Sequence, residues 1–481
     1  TLTLTLTLTL TLTLTLISQV LCSRVLPRNS LQTSTRSSNG VSPLLRLDDS
    51  TSVLSNKKVV VVGGGPVGLY FAALLLQSDP TVRIEIIEKQ ISNPAASNAF
   101  GMGVGSRMQQ RLRDVPGLLE EAISVSSVVA GLNIPLVSRD DLVRNMRAFL
   151  TARYDENACR VALGDGVASV DLRAKRVTTE SGRDISYDLL LGADGVNSKI
   201  RQLLLDQAEL GEQHYLEDFH WKVLQLPKQF ESDSFKPLQH PAFRGRVLPR
   251  APEGHFLMLF WKGNQHNFKT GNPVGIHSAD DWKRLLNEAI QDKKKSRFRN
   301  PARRLFGMDV GDDGKNDHSF VFDEETLDAF TASRAKPVHY LQLERYHHGD
   351  VALIGDSAHS FSSLLGQGCA LGLESTHTLV ECLREAPSLD DALHEYTARA
   401  TVEAHAMTEV SLVGYGIRGG WNAMTFQAVP LILVNMLRGK GVLKRIKDVN
   451  VPYATIVREN RRLLRLCRSQ FEKERKPFQK H

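Results

Sequence analysis

The chain has 481 residues, 42% of them hydrophobic, which is enough for two or three domains with sizeable cores and too apolar for a disordered tail. Its formal charge of +7 is concentrated at one end: residues 438–481 carry 14 Lys/Arg against 4 Asp/Glu, and the other 437 residues sum to −3. No nucleic-acid-binding motif accompanies that basic end, so no nucleic-acid partner is expected, and a membrane surface or plain solvation are the readings left.

Cys22, Cys159, Cys369, Cys382 and Cys467 form no CxxC pair and no ligand-like Cys/His spacing, so neither a disulfide framework nor a metal site is suggested. The first 16 residues are eight Thr-Leu repeats, a low-complexity segment. Residues 17–47 hold four Arg, many Ser and Thr and no acid, the composition of an organelle transit peptide, mitochondrial or plastid; a plain linker is the alternative.

From Lys57 the texture changes. The stretch KKVVVVGGGPVGLYFAALLLQ predicts a β-branched strand, a glycine turn and an apolar helix, and VRIEIIEK predicts the next strand. This βαβ opening belongs to a parallel sheet with helices on both faces. DLLLGADG and VALIGD read as further strands of that sheet. Between them, Gly245–Gly263 alternates as antiparallel strands do, so a second sheet interrupts the first. The charged run Asp292–Arg304 reads as a solvated helix face or loop. From about Leu389 the chain reads as helical. Its 17 uncharged residues Trp421–Leu437 are at the short limit for a membrane span, and Pro430 argues further against one.

Gly63, Gly65 and Gly68 form a GxGxxG turn enclosing Pro66 and Val67, and Glu88 follows 20 residues after Gly68 at the end of the next strand. Glycines there allow a tight turn, close approach of backbone to a pyrophosphate, and close packing of helix on strand. A carboxylate at Glu88 suits a ribose and disfavours a 2′-phosphate, so FAD or NAD fits the site better than NADP. Asp194 and Gly195 follow a later strand, with Ser198 and Arg201 beyond. Gly355 and Asp356 follow the last one, ahead of Gly366, Gln367 and Gly368 at a helix start.

Taken in order, GxGxxG, GADG and GDSAH…GQG resemble the aromatic-hydroxylase group of FAD-dependent monooxygenases over about residues 57–385, and within it the kynurenine 3-monooxygenase family. The resemblance implies an FAD-binding, Rossmann-type α/β fold. Its doubly wound domain comprises residues 57–205 and 345–388, a mixed-sheet substrate domain spans 206–344, and a helical, basic C-terminal region spans 389–481; residues 1–56 lie outside the fold. It implies that Asp356 meets the ribityl chain, that Gly366–Gly368 lie against the isoalloxazine, and that Arg139 of SRDDL contacts the flavin. Arg107 is a further cofactor candidate, with a surface role as the alternative. His359 reads as loop packing.

The reaction implied is reduction of FAD by NADPH or NADH, formation of a flavin C4a-hydroperoxide with molecular oxygen, and hydroxylation of an aromatic or other electron-rich small molecule. No catalytic side chain is singled out. Departures fall near the substrate: Asn98 stands where the family carries a carboxylate-binding Arg, Cys369 and Ala370 replace Met-Asn, Ser363, Leu364 and Leu365 replace a Pro and two aromatics, and Ser375 replaces an acid. These disfavour kynurenine itself and favour a less polar substrate. An epoxidase, halogenase or flavin reductase on the same fold, or a non-catalytic membrane-associated flavoprotein, are the alternatives.

Overall fold

The computed structural model describes residues 52–91, 101–128, 134–226, 237–250, 254–262, 271–273, 275–291, 324–413, 423–474 and 476–477. The Thr-Leu repeats, the transit-like segment, Asn98 and the run 292–304 lie outside them.

The elements that matter for the site, in chain order, are β1 (Lys58–Val62), α1 (Pro66–Ser78), β2 (Arg83–Glu88), α2 (Ser106–Arg113), α3 (Arg139–Arg153), β3 (Cys159–Leu163), β4 (Leu189–Gly192) and α4 (Lys199–Gln207). Then come β5 (Gln213–Gln225), β6 (Pro237–His240), β7 (Phe243–Arg250), β8 (Gly254–Lys262), β9 (Lys336–Gln342), β10 (His347–His348) and β11 (Val351–Leu353). The chain ends in α5 (Gly368–Glu385), α6 (Leu389–Ser411), α7 (Ala423–Leu437), α8 (Val442–Arg445), α9 (Tyr453–Glu459), α10 (Arg461–Glu474) and β12 (Lys476–Pro477).

Six strands form one sheet in the order β10-β11-β4-β1-β2-β3, parallel except for the edge strand β10. The residues explain this choice. Val59–Val62 of β1 and Leu189–Leu191 of β4 are β-branched or aliphatic and fully or almost fully buried, as strands covered on both faces must be. From β1 the chain crosses to β2 on one side, while β4 lies on the other. The carboxyl end of β1 is therefore a topological switch point, where open α/β sheets bind their ligands.

β6-β7-β8-β5-β9 form the second sheet. Every pairing described in it is antiparallel, where a mixed sheet was expected; hairpins such as β7–β8 join neighbouring strands, and the helices Ala279–Gln291 and Glu324–Ala332 lie in the connection from β8 across β5 to β9. Its own core gathers Trp261, Trp282 and Phe330 around Leu257 and Leu259. β12 pairs with Tyr215 and Leu216 of β5, so the described chain finishes as a strand on this sheet, which the helical reading of the tail did not anticipate.

The helix α7 contains Pro430 and exposes Val434, Met436 and Leu437. Among the described residues no helix is long and apolar enough to cross a membrane.

Candidate functional site

The glycine turn after β1 is shaped by what side chains would strike. Gly63 has φ +113°, and a Cβ there would lie 2.3 Å from the Ala193 carbonyl oxygen; a Cβ at Gly68 would lie 2.3 Å from the Gly63 carbonyl oxygen. Only glycine passes at either position. The turn delivers the N-terminus of α1 to the switch point, with Pro66 in its opening turn and no acid there to oppose an anion. Glu88 closes the adjacent edge. Its Oε2 accepts from the Gly64 N–H at 2.8 Å and its Oε1 from the Gln90 N–H at 2.8 Å. A carboxylate has about four acceptor positions, so ribose hydroxyls can still be served.

The residues after β11 are carried to this turn by packing. Gly355 has φ +59°, and Val67 of α1 lies against it: a Cβ on Gly355 would come 3.2 Å from Val67 Cγ1, and one on Gly372 of α5 2.7 Å from Val67 Cγ2. Val67 thus does a packing job, holding α1, the Gly355 turn and α5 together. The Asp194–Gly195 segment joins through Ser357, whose hydroxyl accepts from the Gly195 N–H at 2.9 Å and donates to Asp194 Oδ1 at 3.2 Å. Asp194 Oδ2 accepts from the N–H groups of Lys199 and Ile200 at the start of α4. Both oxygens of Asp194 take bonds within the protein, which brace the loop; as with Glu88, acceptor positions are left for a ligand. Arg201, buried, adds a bond to the Ser357 carbonyl at 3.0 Å and a contact of 3.2 Å to Glu212. The sequence reading assigned Ser357 no role, although it follows Gly355-Asp356 directly.

Asp356 opens onto the cleft between these parts. Its side chain stays exposed there, while the protein packed around it pushes its carboxyl up to about 6, against the pull of the Arg139 charge. Arg139 begins α3, whose N-cap Ser138 accepts from the Asp141 N–H. Its Nη2 reaches to 3.6 Å from where a Gly65 Cβ would be, so it spans from the glycine turn toward Asp356 and Cys369. Lys336 of β9, over the Trp221 ring at 5.2 Å, lies on the same side; burial and then the Arg139 charge lower its pKa. The Cys369 thiol is pushed up to about 12 by burial and by Asp356, which excludes it as a nucleophile near neutral pH.

Gly368 carries a distinct signal. It begins α5 with no positive φ, and a Cβ there would touch nothing within 4 Å. Neither backbone strain nor protein packing asks for glycine, which costs a helix about 1 kcal/mol relative to alanine. Room for a ligand against the backbone does ask for it. Gly366, at φ +64°, is also open on its side-chain face. Together the acid-free α1 terminus at the switch point, the Glu88 acceptor and the open Gly366–Gly368 backbone suit a flavin dinucleotide.

Arg107 is corrected on both expectations. It is 5% exposed, so it is no surface residue, and its guanidinium is occupied by Glu374 at 2.9 Å and by the carbonyls of Ile446, Asp448 and Val451. It fastens the C-terminal segment instead of reaching the cleft. His359 is buried, lies tilted against Tyr346 with ring centres 5.9 Å apart, and is lowered to about 3 by burial and by His405, so it packs as a neutral ring. A cavity of about 780 Å³ lies among Gln213, Gln342, Glu344, His405, Glu409 and Arg461; no predicted cofactor residue lines it.

Residues 316–411 match the family model described as an FAD binding domain, a range that includes Gly355, Asp356 and Gly366–Gly368. A kynurenine 3-monooxygenase of Stenotrophomonas maltophilia (strain K279a) is 23% identical over 395 residues, covering 75% of this chain and 79% of that protein. Among solved structures, a 2-methyl-3-hydroxypyridine-5-carboxylic acid oxygenase aligns with TM-score 0.53 at 20% identity, covering 74% of this chain and 90% of that one. A tetracycline destructase aligns with TM-score 0.57 at 16% identity, covering 82% and 99%. At these identities the structures speak for the fold; the FAD-binding match and the run of monooxygenase relatives speak for the chemistry. Together these matches support an FAD-dependent monooxygenase of the aromatic-hydroxylase type.

Proposed function

We propose that the protein hydroxylates an aromatic or other electron-rich small molecule less polar than kynurenine, with NADPH or NADH as reductant. The observation that carries the reading is the joining, through Val67, of the glycine-turn helix start to the Asp356 turn and to the helix that opens at Gly368. Gly63–Gly68 and α1 would hold the pyrophosphate, Glu88 the adenosine ribose, Asp356 the ribityl hydroxyls, and Gly366–Gly368 the edge of the flavin ring. Bound FAD supplies the redox chemistry, passing two electrons from the nicotinamide so that one atom of O2 enters the substrate and the other leaves as water. The chain's own tasks are to bind, orient and exclude water. The α1 terminus favours the pyrophosphate charge, and the α5 terminus favours negative charge on the ring edge beside it, each by about 0.3–2 kcal/mol. The thiol of Cys369 and the methyl of Ala370 offer a substrate little polar anchorage, which supports the less polar class.

The test is the visible spectrum of the purified protein, anaerobic reduction with NADPH and NADH, and then oxygen uptake across a panel of aromatic compounds. Stoichiometric flavin that bleaches with reduced nicotinamide, and substrate-stimulated uptake with hydroxylated product, are expected. Flavin that reduces slowly with no stimulated uptake would move the reading to a non-catalytic flavoprotein; efficient turnover of kynurenine would overturn the substrate class.

A further inference from the structure

Three distant parts of the chain meet in one polar cluster beside the Gly366–Gly368 turn. Arg107 of α2 binds Glu374 of α5 and three carbonyls of the segment 446–451, and its guanidinium lies 4.2 Å from the centre of the Tyr453 ring. Tyr453, fully buried, begins α9; its backbone N–H donates to Glu403 of α6 at 2.6 Å. Its single hydroxyl proton has two acceptors in reach, the Glu374 carboxylate and Gln367 Oε1 at 3.4 Å, and is donated to one of them at a time. The other end of the Gln367 amide donates to the Leu365 carbonyl at 3.3 Å.

A buried phenol is placed where its proton has a partner, because an unmatched hydroxyl costs free energy there. The ring alone would serve as packing under Arg107. The hydroxyl adds something else: when it donates to Gln367 Oε1, it and the Leu365 carbonyl hold both ends of the Gln367 amide, and Gln367 separates the two open glycines.

We propose that Tyr453 is a positioning residue for the flavin-facing turn, fixing the Gln367 amide and thereby the approach of Gly366–Gly368 to the isoalloxazine. The inference rests on the reading that FAD lies against that turn. The C-terminal segment, pinned by Arg107, is then part of the cofactor environment and not merely an appended tail.

The experiment compares wild-type and Tyr453→Phe holoenzymes by flavin absorption and fluorescence, and by the anaerobic rate of reduction with NADPH. Loss of one neutral hydrogen bond predicts a shifted flavin band and a reduction rate changed by about 3- to 10-fold, with FAD still stoichiometric. Gln367→Leu should produce the same shift, and adding Tyr453→Phe to it should change little more, since the two act as one unit. If Tyr453→Phe does not fold, Gln367→Leu alone decides. Spectra and rates superimposable on wild type in the folded variants, or fully additive effects, would overturn the proposal. Wild-type protein that binds no FAD would instead overturn the reading on which it rests.

Discussion

The glycine turn at Gly63–Gly68 and the cluster around Arg107 both join segments that are far apart in the chain, by opposite means. The first works by leaving side chains out: backbone passes within 2.3 Å of where a Cβ would stand. The second works by saturating one side chain, with a guanidinium donating to three carbonyls and a carboxylate. Steric exclusion leaves a local signature in sequence, because glycine is the only residue that satisfies it. Polar saturation leaves none, because the partners are backbone carbonyls belonging to residues of any type.

The difference can be broken by substitution. Arg107→Met keeps the length of the side chain and removes all its donors, leaving Glu374 and the carbonyls of the 446–451 segment without partners. Removing one member of a buried ion pair predicts a loss of about 3–5 kcal/mol in chemical denaturation. Hydrogen exchange should quicken first in residues 442–459. A loss below about 1 kcal/mol, within the range of ordinary surface changes, would mean that the cluster holds little.

Two glycines sharpen the contrast. Gly63→Ala puts a Cβ into the Ala193 carbonyl at a positive φ, so about 2–4 kcal/mol of stability and the cofactor should both be lost. Gly368→Ala meets no protein atom and improves helix propensity, so stability should hold or rise by up to about 1 kcal/mol while FAD affinity falls. Thermal melts of the apoproteins with FAD titrations separate the two. Equal FAD affinity in Gly368→Ala and wild type would show that nothing approaches that backbone.

What was legible in the sequence follows the same division. β1, β4 and β11 were readable from apolar runs ending at glycine, β2 from its isoleucine-rich run VRIEIIEK, and the switch point from the turn that follows β1. The bonds of Asp194 to Ser357 and the start of α4 were not, because a carboxylate after a strand reads alike whether or not it also braces its own loop. Arg107 lay outside any motif, and its partners are carbonyls more than 330 residues away. The tail's return as β12 was hidden too. Two residues, Lys476 and Pro477, have no periodicity, and their pairing is decided by the open edge of β5 at Tyr215 and Leu216.

Asp356 combines both kinds of evidence, a motif position and an environment, and its pH dependence gives the smallest but most diagnostic effect. Its carboxyl is raised from 3.8 to about 6, so in the apoprotein the folded state holds a proton that the unfolded state has released between those values. The unfolded state binds fewer protons there, and Asp356 makes apoprotein stability fall as pH rises from about 4 to 6. FAD affinity should run the other way. An ionised carboxylate accepts from two ribityl hydroxyls, whereas the protonated acid must donate, so affinity should weaken by up to about 10-fold per pH unit below 6. Asp356→Asn should flatten both dependences and weaken binding by about 10-fold at pH 7.5, the size of one charge-assisted hydrogen bond. Apoprotein melts and FAD titrations from pH 4.5 to 8 test the two signs together. Opposite slopes that both vanish in the Asn variant place the raised carboxyl at the cofactor; a stability slope that vanishes with an unchanged affinity profile would make Asp356 an acid with no part in FAD binding.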